Sequence, residues 1–245
     1  MNDPEILDRI RIVLSHPSHP GNVGAAARAM KTMGLSRLYL VNPPPDADDV
    51  AGARAANARD VLDHAVVCGT LEAALGGTVF AAAMTARRRE MAPPPQWARE
   101  AAPQIAAAAV HGPVALVFGN ETAGLSNEEV ALCRLPVVIP ADPAYSSLNL
   151  ASAVQVMCYE LRLAALDPGA PRAPAHPPAT AEEIRRFYAH LEAAVTHSGF
   201  LDPAHPKRLM PRLRRLFDRI GLERDEISLL RGMLKTFMPP GSKVD

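Results

Sequence analysis

Net charge is what this chain lacks first. Its 245 residues carry 26 Lys and Arg against 26 Asp and Glu. The total therefore gives no argument for a nucleic-acid partner; only the distribution of charge can. Cysteine is scarce as well. Cys68, Cys133 and Cys158 lie far apart, with no Cys-x-x-Cys among them. That argues against a disulfide framework or a cysteine zinc site and fits a reducing cytoplasm. No apolar run reaches the roughly 20 residues of a membrane span, so no membrane partner is expected. Asp3, Glu5 and Asp8 stand where a signal peptide would carry basic residues, and no such peptide is expected. No Gly-x-Gly-x-x-Gly follows the first apolar run, and Gly21 and Gly24 do not meet that spacing, which speaks against a dinucleotide-binding turn. No metal is expected either. His16 and His19 are three apart, but Pro17 and Pro20 hold the stretch extended and no Cys or carboxylate lies beside it, so it reads as a plain loop.

What is present is an ordinary apolar content of 48%, much of it alanine. Apolar runs at 10–14, 38–41, 65–68, 79–84, 114–118 and 135–139 read as strands. Helices are expected over 21–33, 46–58 and 71–75, over a stretch ending at Ala109 that holds Trp97, and over a long apolar segment after Asn149. In the first helix Asn22 is the expected N-cap and Gly34 the closing residue. Val23, Ala26, Ala27 and Met30 share one face toward the sheet, while Gly24, Arg28 and Lys31 share another. This alternation predicts an α/β fold, a parallel sheet with helices on both faces. From 167 to 178 five prolines make a semi-extended linker. Beyond it Thr180 and Glu183 form a capping-box pattern, and three amphipathic helices follow. Between 207 and 219 six residues are basic and one is acidic. Arg208, Arg212, Arg215 and Arg219 lie opposite the stripe of Leu209, Leu213, Leu216, Phe217 and Ile220, which favours an RNA-backbone contact over a merely solvated face. Arg87, at the head of three arginines after the 79–84 run, is read as a further phosphate contact.

Three stretches carry the functional argument. They are Pro20-Gly21-Asn22-Val23-Gly24-Ala25-Ala26-Ala27-Arg28, Phe118-Gly119-Asn120-Glu121-Thr122-Ala123-Gly124-Leu125, and Tyr145-Ser146-Ser147-Leu148-Asn149-Leu150. The last two follow buried runs, and small-residue loops there let backbone groups approach a ligand closely. Two in succession predict one shared pocket.

Together the three stretches resemble the motifs of the SPOUT superfamily of RNA methyltransferases, in its 2′-O-ribose branch. The likeness runs through both halves of the chain and is nearest to the TrmJ-like tRNA (cytidine/uridine-2′-O)-methyltransferases. Asn120 departs from that group, which carries arginine there. The resemblance implies a C-terminal trefoil knot in the sheet domain, which periodicity alone does not predict. It implies S-adenosyl-L-methionine as cofactor, tRNA as partner, and a homodimer. It points to Arg28, Ser147 and Glu121 as catalytic candidates. Met84, Thr85, Ala86, Gly119, Ile139, Ser146, Ser147 and Leu148 would hold the cofactor, and Asn22, Gly24 and Asn149 would be structural within the motifs. Glu121 is equally readable as a carboxylate that fixes its loop, and Ser146 or Ser147 as an ordinary helix cap. On this reading residues 1–166 form the methyltransferase domain, 167–179 the linker and 180–245 an α-helical extension. Two rivals remain: a ribosomal-RNA ribose methyltransferase, and a catalytically silent RNA-binding protein of the same fold.

Overall fold

The computed structural model describes residues 4–44, 52, 54–86, 94–166 and 177–238. Within them the strands are β1 Ile10–Ser15, β2 Arg37–Val41, β3 Val66–Cys68, β4 Phe80–Met84, β5 Gln96–Trp97, β6 Val114–Phe118 and β7 Leu135–Val138. The helices are α1 Pro20–Thr32, α2 Arg59–Asp63, α3 Leu71–Leu75, α4 Ala98–Ala109, α5 Asn127–Ala131, α6 Leu150–Leu166, α7 Ala181–His197, α8 Leu209–Ile220 and α9 Arg224–Thr236. The strands form one sheet in the order β3-β2-β1-β6-β4-β7-β5, and every pairing is parallel.

Strand side chains alternate between two faces, and both faces are covered, which is why the strands read as nearly unbroken apolar runs. Ile12, Leu14, Leu116, Phe118, Ala82 and Met84 point to the face that carries α1, α4 and α6. Val13, Val117, Ala81, Ala83 and Ala115 point to the other, against α3 and α5. Val23, Ala26, Ala27 and Met30 are buried under α1, as their spacing predicts. Leu14 pairs with Phe118, Ala83 with Val117 and Met84 with Val137. Parallel strands in this register end together, so the loops after β1, β4, β6 and β7 emerge on one edge of the sheet.

Two details differ from expectation. Trp97 is not inside a helix; it lies in β5, the two-residue edge strand on β7, just before α4. A strand that short has no periodicity to read. The helix expected over 46–58 falls largely on residues outside those described, and its described end passes through a 3₁₀ turn, Ala56–Ala58, into α2.

The three tail helices have a core of their own. Phe187, Tyr188, Leu191, Leu201, Met210, Leu222, Ile227 and Leu234 are buried together. Phe187 and Phe217 meet edge to face, 5.0 Å between centroids. The Thr180–Glu183 capping box opens α7 as predicted, a feature worth about 1 kcal/mol. Leu216 and Ile220, expected in the α8 stripe, remain 43% and 60% exposed, so the buried side of α8 is narrower than the sequence pattern. Residues 177–179 are tied to the tail: Ala179 N–H donates to Leu222 O (3.1 Å) and Arg224 N–H to Pro177 O (3.2 Å). The tail meets the sheet where Ala181 N–H donates to Thr78 O (2.9 Å). Beside that bond the Arg134 guanidinium covers the Phe80 ring at 5.3 Å.

Candidate active site

The loop after β6 is closed by its own backbone. At Gly119 a Cβ atom would lie 2.2 Å from Gly124 C and from Leu125 N, so only glycine fits. Gly124, at φ 69°, takes the left-handed conformation that turns the chain back, and its N–H donates to Asn120 O at 2.8 Å. Asn120 Oδ1 accepts from Thr122 N–H (2.9 Å) and Ala123 N–H (3.3 Å), while its Nδ2 donates to His16 O (2.8 Å). This asparagine therefore stitches the β6 loop to the β1 loop.

Glu121 extends the stitching. Its carboxylate accepts from Ser18 N–H (2.8 Å), Ser18 Oγ (2.7 Å), His19 N–H (3.2 Å) and Asn22 Nδ2 (2.9 Å). Burial, the largest single influence, pushes its pKa up, but the donors of Asn22 and Ser18 outweigh it and hold the acid at about 2. Asn22 Oδ1 in turn accepts from Asn149 Nδ2 (3.0 Å), and Asn149 Oδ1 accepts from Ala151 N–H (2.9 Å) and Ser152 N–H (3.4 Å). One polar chain thus links all three motifs. It corrects two expectations. The N-cap of α1 is His19, whose Nδ1 accepts from Gly21 N–H at 3.0 Å; Asn22 lies one turn inside and faces Glu121 instead. Nor does Ser146 or Ser147 open the next helix. α6 begins at Leu150, and Asn149 caps it. The serine hydroxyls are thereby left out of the capping role.

At this edge lies a cavity of about 210 Å³. All eight residues expected to hold a cofactor line it: Met84, Thr85, Ala86, Gly119, Ile139, Ser146, Ser147 and Leu148. Glu121 lines it too. The rest of the 118–125 stretch, Leu150 and Ala153 complete the wall; of these only Ala153 stands outside the three stretches. Its signal was available, since it stands in the first turn of the helix that the third stretch opens. Ser18 and His19, which hold Glu121, were also missed; their N–H groups precede the helix, where no regular backbone bond takes them, and a carboxylate can. Thr85 is anchored by its N–H to Val137 O (2.8 Å). The wall combines apolar side chains with loop backbone and the hydroxyls of Ser146 and Ser147, a surface suited to a nucleoside-like group.

Arg28 is not in that wall. It is exposed on α1, and among the described residues its guanidinium has no hydrogen-bond or ion-pair partner. Gly24, one turn earlier, is buried, and Lys31 is engaged by Asp60 at 2.7 Å. Arg208, Arg212, Arg215 and Arg219 are all exposed on or beside α8. Arg87 lies outside the described residues.

A model of the SpoU rRNA Methylase family matches residues 9–159, and one of the tRNA methyltransferase TrmJ, C-terminal domain, matches residues 182–243. The chain is similar to the tRNA (cytidine/uridine-2′-O-)-methyltransferase TrmJ of Yersinia pestis (strain Pestoides F), with 48% identity covering 94% of this chain and 91% of that protein. The protein of the same name from Pectobacterium atrosepticum is 47% identical over 94% of this chain and 97% of its own length. Among solved structures, TrmJ from Z. mobilis ZM4 superposes with a TM-score of 0.78 at 34% identity, covering 92% of this chain and 97% of that one.

Proposed function

This chain belongs to the SpoU methylase family, alongside the TrmJ proteins it matches along nearly its whole length, and from that premise we propose that it is an S-adenosyl-L-methionine-dependent methyltransferase of tRNA. Its acceptor on this reading is the ribose 2′-oxygen of a cytidine or uridine at the first position of the anticodon loop. The observation that carries the reading is the cavity itself: the residues of separate motifs converge there on one wall.

The cofactor supplies an electrophilic methyl group on a sulfonium; the protein supplies position and electrostatics. Gly119 and the Ser147–Leu148 turn would offer backbone groups to the adenosyl part, with Ile139 and Leu148 as apolar cover. Ser147, whose hydroxyl is not used as a cap, orients the 2′-hydroxyl or relays its proton. Arg28 cannot serve as a base, because a guanidinium keeps its proton in proteins. Its role is to hold a flanking phosphate and stabilise the developing alkoxide. Glu121, with four donors already on it, acts as the strut of the site rather than as its base. Asn22 and Asn149 keep the three loops in register.

Arg28 serves the cavity of a second copy, so the active unit is a homodimer. Its exposure outside its own cavity wall supports this, as does the apolar ridge of Tyr159, Leu163 and Leu166, each more than 40% exposed on α6. The β7–α6 segment is the part threaded as a trefoil knot. The domain division falls in residues 167–179, with the basic tail reaching tRNA. A tRNA substrate implies the cytoplasm; no described helix is long and apolar enough to cross a membrane.

The test is methyl transfer from labelled S-adenosyl-L-methionine to bulk tRNA that lacks ribose methylation. Wild type is expected to label a 2′-O-methylated pyrimidine of the anticodon loop. Arg28→Ala should lower the rate about 10²- to 10³-fold with the cofactor still bound by one-copy contacts. Label on ribosomal RNA alone would move the protein to the other substrate class. No transfer and no cofactor binding would leave a silent RNA-binding protein.

A further inference from the structure

Apart from the cavity at the sheet edge, the described residues form a second broad recess, in the tail. It is a groove of about 610 Å³ beside the turn between α7 and α8. The turn is built so that one apolar residue is buried and its neighbour is not. Gly199, at φ 75°, reverses the chain after α7. Leu201 N–H then donates to Val195 O (2.9 Å) and its side chain enters the tail core, 6% exposed. Phe200 is left 71% exposed at the groove. An aromatic ring left in water forgoes the free energy of apolar burial, so its exposure invites a partner.

Charge says which partner. Lys207, Arg208 and Arg212 line the same groove, and among the described residues no carboxylate pairs with any of them. The one carboxylate in the lining, Asp202, is already occupied. Its Oδ1 accepts from Ala204 N–H (2.9 Å) and its Oδ2 faces His205 Nδ1 at 3.1 Å. Lys207 also holds a left-handed φ of 48°, a strain that loops keep where they serve a site. A flat apolar ring beside three unneutralised cations matches a base with its phosphates.

We propose that this groove binds an unpaired nucleotide of the RNA substrate, its base stacked on Phe200 and its phosphates held by Lys207, Arg208 and Arg212. The proposal rests on the RNA methyltransferase reading and adds a specific subsite to it. The experiment measures tRNA affinity of the full-length chain at several salt concentrations, with methyl transfer followed in parallel. Phe200→Ala should weaken binding about ten-fold with little change in the salt slope, and Phe200→Trp should retain wild-type affinity. Lys207→Gln combined with Arg212→Gln should weaken binding and reduce the salt slope by about two. Equal affinity of Phe200→Ala and wild type overturns the proposal. So does a loss that Phe200→Leu repairs as well as Phe200→Trp, because that would mean apolar packing rather than stacking. If Phe200→Ala does not fold, Phe200→Trp in a Trp97→Phe background replaces it: RNA should quench its indole emission, and unchanged emission overturns the proposal. A wild type that transfers no methyl to tRNA sinks the functional reading; a wild type that transfers while all groove variants match it sinks only the groove.

Discussion

Two carboxylates, one at the loop edge of the sheet and one in the tail, experience similar physics with opposite results. Burial is the largest influence on both Glu121 and Asp218, and in both it raises the pKa. Glu121 has four donors from Ser18, His19 and Asn22 and ends at about 2. Among the described residues Asp218 has one donor, Tyr188 Oη at 2.7 Å, with Arg214 and Arg134 nearby, and ends at about 6. The number of donors aimed at the charge decides which way burial resolves. The loop edge is thus a set of bonds that hold a cavity open in one shape. The seam between tail and sheet is a looser contact whose charges are incompletely met.

The comparison extends to two glycines. At Gly119 an added methyl meets backbone, which cannot yield. Gly119→Ala is expected to destabilise the chain by about 3 kcal/mol and abolish cofactor binding, read by denaturant unfolding and calorimetric titration. At Gly221 an added Cβ would lie 1.5 Å from Arg134 Nη2, the far end of a flexible side chain. Gly221→Ala should displace Arg134 and strain the left-handed φ of 71°, for about 1 kcal/mol, with cofactor binding intact. Equal losses in the two variants would break the distinction between a rigid edge and a yielding seam.

Glu121→Gln should cost about 1 kcal/mol, because Ser18 and His19, which are exposed, and half-buried Asn22 lose the charge their donors meet while water replaces part of it. The sign with pH follows from its lowered pKa. The stabilisation is complete above the ordinary value of 4.5 and is lost as pH falls toward about 2. The gap between wild type and variant should therefore close over that window in acid unfolding. Asp218→Asn should have the smallest effect, below about 1 kcal/mol at neutral pH, and the opposite slope. A carboxyl raised from 3.8 to about 6 gives stability that is full below pH 3.8 and lost as pH rises through 6. The asparagine should remove that slope; a wild type with no slope between those values would show that the seam is wetter than its geometry.

Much of the fold could be read from residue order alone. The strands 10–14, 114–118 and 135–139 stand where their apolar runs put them, because strands buried on both faces need continuous apolar sequence. The Thr180 capping box was legible because a cap is a local pattern. Asn22 misled for the same reason. Its type fits a helix start, yet His19 took the cap and Asn22 turned to a carboxylate 99 positions away in sequence. β5 left no periodic trace, and the exposure of Ile220 and Leu216 depends on how far the tail helices close over α8.

Residue order by itself determined the strand and helix segments, the glycine loops and the residue types at the cavity, since these follow from local sterics and the periods 2 and 3.6. Tertiary structure alone decided that β6 lies between β1 and β4. It also decided that Glu121 is held by the segment before α1 and that Arg28 stands outside its own cavity. Those outcomes depend on contacts between residues about 100 apart, where the partner of each polar group is chosen by packing and not by its neighbours in the chain.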